Sequence, residues 1–241
     1  MGTFFATVIG NVAIIVFTLL FAIPSFLLGW VPPRGNVTFF CARNWAKTLL
    51  FFCGVRVRTT FDPGFDLPQQ GSHCVYMANH QSLFDIPVLL ATLPGQTRFM
   101  AKQSLFRIPL FGWAIAAGGF IPVDRKDRSR AKEAFDTAVA RLQAGTSVLL
   151  FPEETRSLDG KLLPFQRGGF LLALKSGLPI VPVGIEGTLA IQGKKSFLIH
   201  PGVVHVRYGA PIPMTDFDIR RRRELDALVR DQVATLANAP A

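Results

Sequence analysis

Hydrophobic and polar positions divide the chain into two unlike parts. From Met1 to Pro33 no side chain ionises and apolar residues dominate; a helix of that length would measure roughly 50 Å against a hydrocarbon core of about 30 Å. The segment is long enough to enter lipid. Pro24 would kink or split it, so one tilted span and two half-inserted helices are both open. No Lys or Arg precedes the run and no small-x-small site closes it, so a cleaved signal peptide is not expected. In a second apolar stretch Phe39, Phe40, Trp45, Leu49, Leu50, Phe51 and Phe52 lie among Arg34, Arg43, Lys47, Arg56 and Arg58, with no acid before Asp62. Such a stretch suits the membrane interface, its basic groups meeting anionic headgroups, and equally an amphipathic core helix with a solvated edge.

Beyond the turn at Asp62-Pro63-Gly64, short β-rich runs alternate with longer amphipathic ones. The pattern predicts strands at His73–Ala78, Thr97–Ala101, Gly119–Val123, Ser147–Phe151, Ile180–Ile185, Phe197–His200 and Val203–Tyr208. Helices are predicted at Ile86–Leu93, Leu105–Ala117, Ser129–Ala144, Phe165–Ser176 and Asp218–Ala237. The expected fold is therefore α/β: a mixed, mostly parallel sheet covered by helices on both faces, with an N-terminal apolar helical membrane element. Residues 1–61 are expected to form the membrane-associating region and 62–241 the catalytic domain.

Composition narrows the class. In 241 residues 49% are hydrophobic, 22 are Phe, and only 17% are charged, against about 25% in an ordinary domain, which excludes disorder. The net charge of +10 asks for an anionic partner, and half of that excess lies beside the apolar region, which favours a membrane surface over nucleic acid. Positive flanks belong on the cytoplasmic side. Cys41, Cys53 and Cys74 are scattered without metal-site or disulfide spacing, as suits a reducing, cytosol-facing location.

Candidate chemistry gathers where strands hand over to helices. In Asn79-His80-Gln81-Ser82-Leu83-Phe84-Asp85, one continuous helix would put His80 and Asp85 on different faces, whereas a strand–turn–helix lets the carboxylate fold back to the ring. A carboxylate on one imidazole nitrogen fixes the tautomer and frees the other nitrogen to take a proton. A helix cap beside a satisfied core histidine would leave the same pattern. Further on, Lys102 offers a point charge and Arg125, closing the strand Gly119–Val123, a planar fork for phosphate. After the buried run Val148–Phe151, Pro152-Glu153-Glu154-Thr155-Arg156 brings acids, a hydroxyl and a guanidinium to one strand end, suited to a polyol and its phosphate or to a solvated turn. Pro182 interrupts the apolar run Ile180–Ile185, as at an edge or a bulge.

These four blocks, in this order over roughly residues 73–190, resemble the glycerolipid acyltransferase family, most closely the 1-acyl-sn-glycerol-3-phosphate acyltransferases. The N-H-x-x-x-x-D motif matches Asn79, His80 and Asp85; the second-motif arginine matches Arg125; P-E-G-T-R matches Pro152, Glu153, Thr155 and Arg156; the proline-bearing strand matches Pro182. Glu154 stands where the family usually has glycine, adding backbone restriction and a negative charge. The resemblance implies transfer of an acyl group from acyl-CoA or acyl-carrier protein to the free sn-2 hydroxyl of 1-acyl-glycerol-3-phosphate at the cytoplasmic face of a membrane. His80 would be the base and Asp85 its orienter, with Arg125, Glu153, Thr155, Arg156 and Lys102 on the acceptor. No metal or other cofactor and no nucleic acid is implied. Without a G-x-S-x-G elbow no covalent acyl-enzyme is expected. Competing readings are an acyltransferase for another lysolipid, a lipid phosphohydrolase with His80 as nucleophile, and a membrane-anchored module that grips anionic lipid without catalysis.

Overall fold

The structure, a computed structural model, describes residues 2–31, 35–65, 73–124 and 128–238. Helices α1 (Gly2–Leu28) and α2 (Asn36–Phe52) lead into strand β1 (Val55–Phe61). Next come β2 (Val75–Ala78), α3 (Asp85–Thr92), β3 (Thr97–Lys102), a short 3-10 turn, α4 (Phe111–Ala117) and β4 (Ile121–Val123). The remainder runs through α5 (Arg128–Gln143), β5 (Ser147–Leu150), α6 (Arg167–Ser176), β6 (Ile180–Glu186), α7 (Thr188–Ile191), β7 (Gly202–Tyr208) and α8 (Arg222–Asn238).

The seven strands pair in the order β1-β7-β6-β2-β5-β3-β4, and every neighbouring pair is parallel except β6–β7. β2 and β5 are buried at every position, which is why they read as unbroken apolar runs. Two apolar layers cover the sheet. One packs α2 and α3 on Tyr76, Leu149 and Val183; the other packs α5, α6 and α8 on Met77, Leu150 and Ile180. The expected mixed, mostly parallel sheet with helices on both faces is the observed one.

Four details depart from the sequence pattern. β1 joins the sheet as an edge strand from the N-terminal side of the expected 61/62 boundary; exposed Arg56 and Arg58 line it, a device that blunts edge-to-edge pairing. The predicted strand Phe197–His200 does not form. Its Ile199 N–H instead donates to Thr7 Oγ1 at 3.0 Å, docking the segment on the start of α1. The predicted helix Leu105–Ala117 breaks at Pro109-Leu110, where Leu110 takes φ of 62°. Pro182 sits inside the sheet, not at its edge. The Ile180↔Ile212 and Val183↔Tyr208 pairings are out of step by one residue, and the extra residue lies between Tyr208 and Ile212, on the segment facing Pro182.

Helix α1 is continuous through Pro24 and has an inverted amphipathy. Its small residues Ala6, Gly10, Ala13, Ala22 and Ser25 face the protein, where a Cβ on Gly10 would meet Ile199 and Cys53 at under 3 Å. Bulky residues such as Phe4, Phe5, Ile15, Leu20 and Leu27 face outward, half to two-thirds exposed. Both ends are tied to the domain: Thr7 to Ile199, and the Ser25 carbonyl to Thr38 Oγ1. Between them Trp45 of α2 donates its indole N–H to Thr18 Oγ1 at 3.1 Å. Arg43 of the basic stretch faces inward, with Nη2 on the Leu93 carbonyl and the guanidinium over the Phe39 ring.

Candidate active site

β2 and β5 sit side by side, so the segments leaving their carboxyl ends meet. Asn79 secures the first segment to β6, donating from Nδ2 to the Ile185 carbonyl at 2.8 Å and accepting from the Ile185 N–H at 2.7 Å. The chain then turns, and Asp85 opens α3 with its carboxylate folded back. Asp85 Oδ2 lies 2.7 Å from His80 Nδ1 and accepts the N–H groups of Gln81 and Ser82 at 2.7 and 2.9 Å. Oδ1 accepts from Thr188 Oγ1. An ionised carboxylate only accepts, so Nδ1 carries the proton and Nε2 presents a lone pair. Asp85 is fully buried, while the His80 side chain keeps 15% of its surface open. The imidazole also stacks on Phe151, centroids 3.9 Å apart and planes 14° apart. Carboxylate and ring contact together leave it one orientation.

The loop after β5 grips the His80 backbone from both sides. Glu153 Oε1 accepts the His80 N–H at 2.7 Å, and the Ser157 N–H donates to the His80 carbonyl at 2.8 Å. Glu153 Oε2 accepts the Leu163 N–H at 2.8 Å. Expected on the acceptor headgroup, this carboxylate is instead 4% exposed and engaged by backbone at both oxygens. Burial raises its pKa, and the two N–H donors oppose the shift. Glu154 adopts φ of 59°, the left-handed region a glycine enters freely. The backbone thus keeps the shape of the glycine motif despite the different residue.

A cavity of about 890 Å³ opens beside His80, near the upper end of the ~300–1,000 Å³ usual for small-molecule sites. Lys102, Glu154, Thr155, Arg156 and Lys194 line its polar part. Its apolar lining comes from both layers: Phe21, Trp45, Leu90 and Ala114 on the α1–α4 side, Phe135 and Leu172 on the other. The structure therefore brings together His80, Asp85, Lys102, Thr155 and Arg156 as the sequence reading grouped them; Arg125 lies outside the described residues. Phe151, Ser157, Thr188 and Lys194 were not foreseen in the site. Lys194 donates to Thr155 Oγ1 at 3.1 Å and to the Arg156 carbonyl at 2.7 Å. Phe151 and Ser157 flank the third block and Thr188 follows the fourth, whereas Lys194 lies beyond both. Among the described residues no group of three or more His, Cys, Asp or Glu side chains is placed to hold a metal ion.

A buried carboxylate on one nitrogen of an imidazole lies at the carboxyl edge of a mostly parallel sheet and beside a largely apolar cavity, an arrangement suited to general-base chemistry. Residues 64–186, just over half of the chain, match the Acyltransferase family model, and the chain belongs to that family. The 1-acyl-sn-glycerol-3-phosphate acyltransferase BAT2, chloroplastic, of Brassica napus is 35% identical over 88% of this chain and 60% of its own length. LPAT1, chloroplastic, of Arabidopsis thaliana is 34% identical over 90% of this chain and likewise 60% of its own. The chain thus spans about 60% of the length of these relatives. The crystal structure of the 1-acyl-sn-glycerophosphate (LPA) acyltransferase PlsC from Thermotoga maritima matches with a TM-score of 0.77 at 26% identity, over 99% of this chain and 96% of that one.

Proposed function

We propose that the protein transfers a fatty acyl group from an acyl-CoA or acyl-carrier-protein thioester to the sn-2 hydroxyl of 1-acyl-glycerol-3-phosphate, forming phosphatidate. The observation that carries this reading is the His80–Asp85 contact, locked by three further donors on the carboxylate and opening on an apolar cavity. His80 Nε2 takes the hydroxyl proton as the alkoxide oxygen attacks the thioester carbonyl. Asp85 stabilises the imidazolium that forms. The tetrahedral intermediate collapses, breaking the C–S bond, and the departing thiolate takes the proton back from Nε2. Base assistance of this kind is typically worth about 10² to 10⁴ in rate. Lys102 and Arg156 supply charge for the headgroup phosphate and Thr155 a hydroxyl, while the acyl chains occupy the apolar cavity.

The membrane enters the reading through α1. A helix pinned to the domain near both ends, with most of its bulky residues facing outward, suits side-on insertion into one leaflet better than a crossing. The positive flank favours the cytoplasmic side. The test is thiol release from acyl-CoA on addition of lysophosphatidate, with product mass as the second readout. His80→Ala, folded by circular dichroism, is expected to lose both signals by at least about 10²-fold; unchanged turnover would overturn the assignment.

A further inference from the structure

Lys194 is the one pocket cation that no sequence motif pointed to, and its neighbours give it a specific task. It ends a segment that touches the site at three places. Thr188 donates to Asp85, the Gln192 carbonyl accepts from Ser82 Oγ at 2.7 Å, and Lys194 Nζ reaches Thr155 Oγ1 and the Arg156 carbonyl. The ammonium has three donors. Two are used on the loop that carries Arg156, and the ammonium lines the same cavity as His80, Lys102 and Arg156.

We propose that Lys194 is an acceptor-binding residue that selects for a phosphomonoester headgroup: its third N–H grips the phosphate beside Arg156. The inference deepens the proposed function and rests on it for the identity of the acceptor. Fixing the Arg156 carbonyl and the Thr155 hydroxyl also holds the loop in the conformation that presents the Arg156 fork. Because Lys194 does not touch the hydroxyl, the thioester or the His80 ring, its effect belongs to acceptor binding rather than to the chemical step.

The experiment compares wild type with Lys194→Met and Lys194→Arg, in micelles of constant composition with one acyl-CoA. Lysophosphatidate and uncharged monoacylglycerol are the two acceptors. Lys194→Met should raise KM for lysophosphatidate about 10- to 100-fold, as expected for loss of a charge-assisted contact, with kcat within about 3-fold. Preference for lysophosphatidate over monoacylglycerol should fall by the same factor, and Lys194→Arg should recover most of it. Equal losses on both acceptors, or an unchanged KM in a folded variant, would overturn the proposal. Inorganic phosphate binding, followed by calorimetry, separates this outcome from failure of the acyl-transfer reading. If wild type acylates nothing yet binds phosphate and Lys194→Met does not, Lys194 stands as an anion-binding residue and the acyl-transfer reading falls. If both proteins bind phosphate alike, the role of Lys194 is refuted.

Discussion

Glu153→Gln separates two roles for one side chain, because its shape is preserved while its hydrogen-bonding pattern is not. The carboxylate accepts one backbone N–H at each oxygen, from His80 at 2.7 Å and from Leu163 at 2.8 Å. An amide has a single accepting end, so one of the two N–H groups must face an NH₂ donor. A hydrogen bond to a charged group is worth about 1.5–3 kcal/mol, and an orphaned buried donor costs a similar amount. Burial already penalises the charge, as the raised pKa of Glu153 shows, and Gln escapes that penalty. The expected net loss is therefore about 2 kcal/mol, or roughly 4–8 °C in Tm for a chain of this size. The kinetic consequence is distinct. Release of the His80 N–H lets the imidazole drift from Asp85 and Phe151, and an ångström-scale misplacement costs about 10² in rate. The assay is kcat and KM for lysophosphatidate at saturating acyl-CoA, below the lowered Tm. The expected result is a fall in kcat with KM nearly unchanged. A raised KM at constant kcat would refute the reasoning and place Glu153 on the acceptor.

Two further outcomes are expected. Glu154→Gly should relieve the left-handed backbone at φ of 59° and raise stability by about 0.5–1 kcal/mol once the added freedom of the unfolded glycine is set against the strain removed; a lower Tm would contradict this. Burial pushes the Cys74 thiol up to about 11 from an ordinary 9. Below pH 9 folded and unfolded states both hold that proton, and above it the unfolded chain releases it first, so stability falls as pH rises from 9 to 11. Unfolding free energies of wild type and Cys74→Ala, from denaturant titrations, should diverge over that interval by up to about 2–3 kcal/mol, and parallel curves would count against it.

The parts of the fold legible in the sequence are those whose burial is complete. β2, β5 and β6 read as apolar runs because both faces are covered, and α5, α6 and α8 because only one is. β1 was not legible as a strand: Val-Arg-Val-Arg alternates as an edge strand should, but its arginines had been counted with the basic interface stretch. Phe197–Ile199 is apolar for the opposite reason. It supplies Ile199 to α1 and leaves Phe197 largely exposed. In the site, His80 and Asp85 were legible because five residues and a turn suffice to join them. Glu153 was legible as important but not in its role, since backbone N–H groups have no sequence signature. Lys194 left no trace, because it stands 39 positions after Thr155 and the two meet only when β6 and α7 return along the sheet. Glu154 is the reverse case. The motif expects a glycine there, and Glu154 takes the left-handed conformation that glycine enters freely.

The first helix is also a wall of the chamber in which the reaction is proposed to occur: Thr18, Phe21, Ala22 and Ser25 border the same cavity as His80. First helix and site are thus one piece of architecture. Cutting the chain after residue 31 to obtain a water-loving core would unroof that chamber and bare the faces of α2 and α4. On the proposed side-on insertion, a tail-bearing substrate would enter sideways from the leaflet past this helix, and lipid thickness would then bear on the shape of the vestibule.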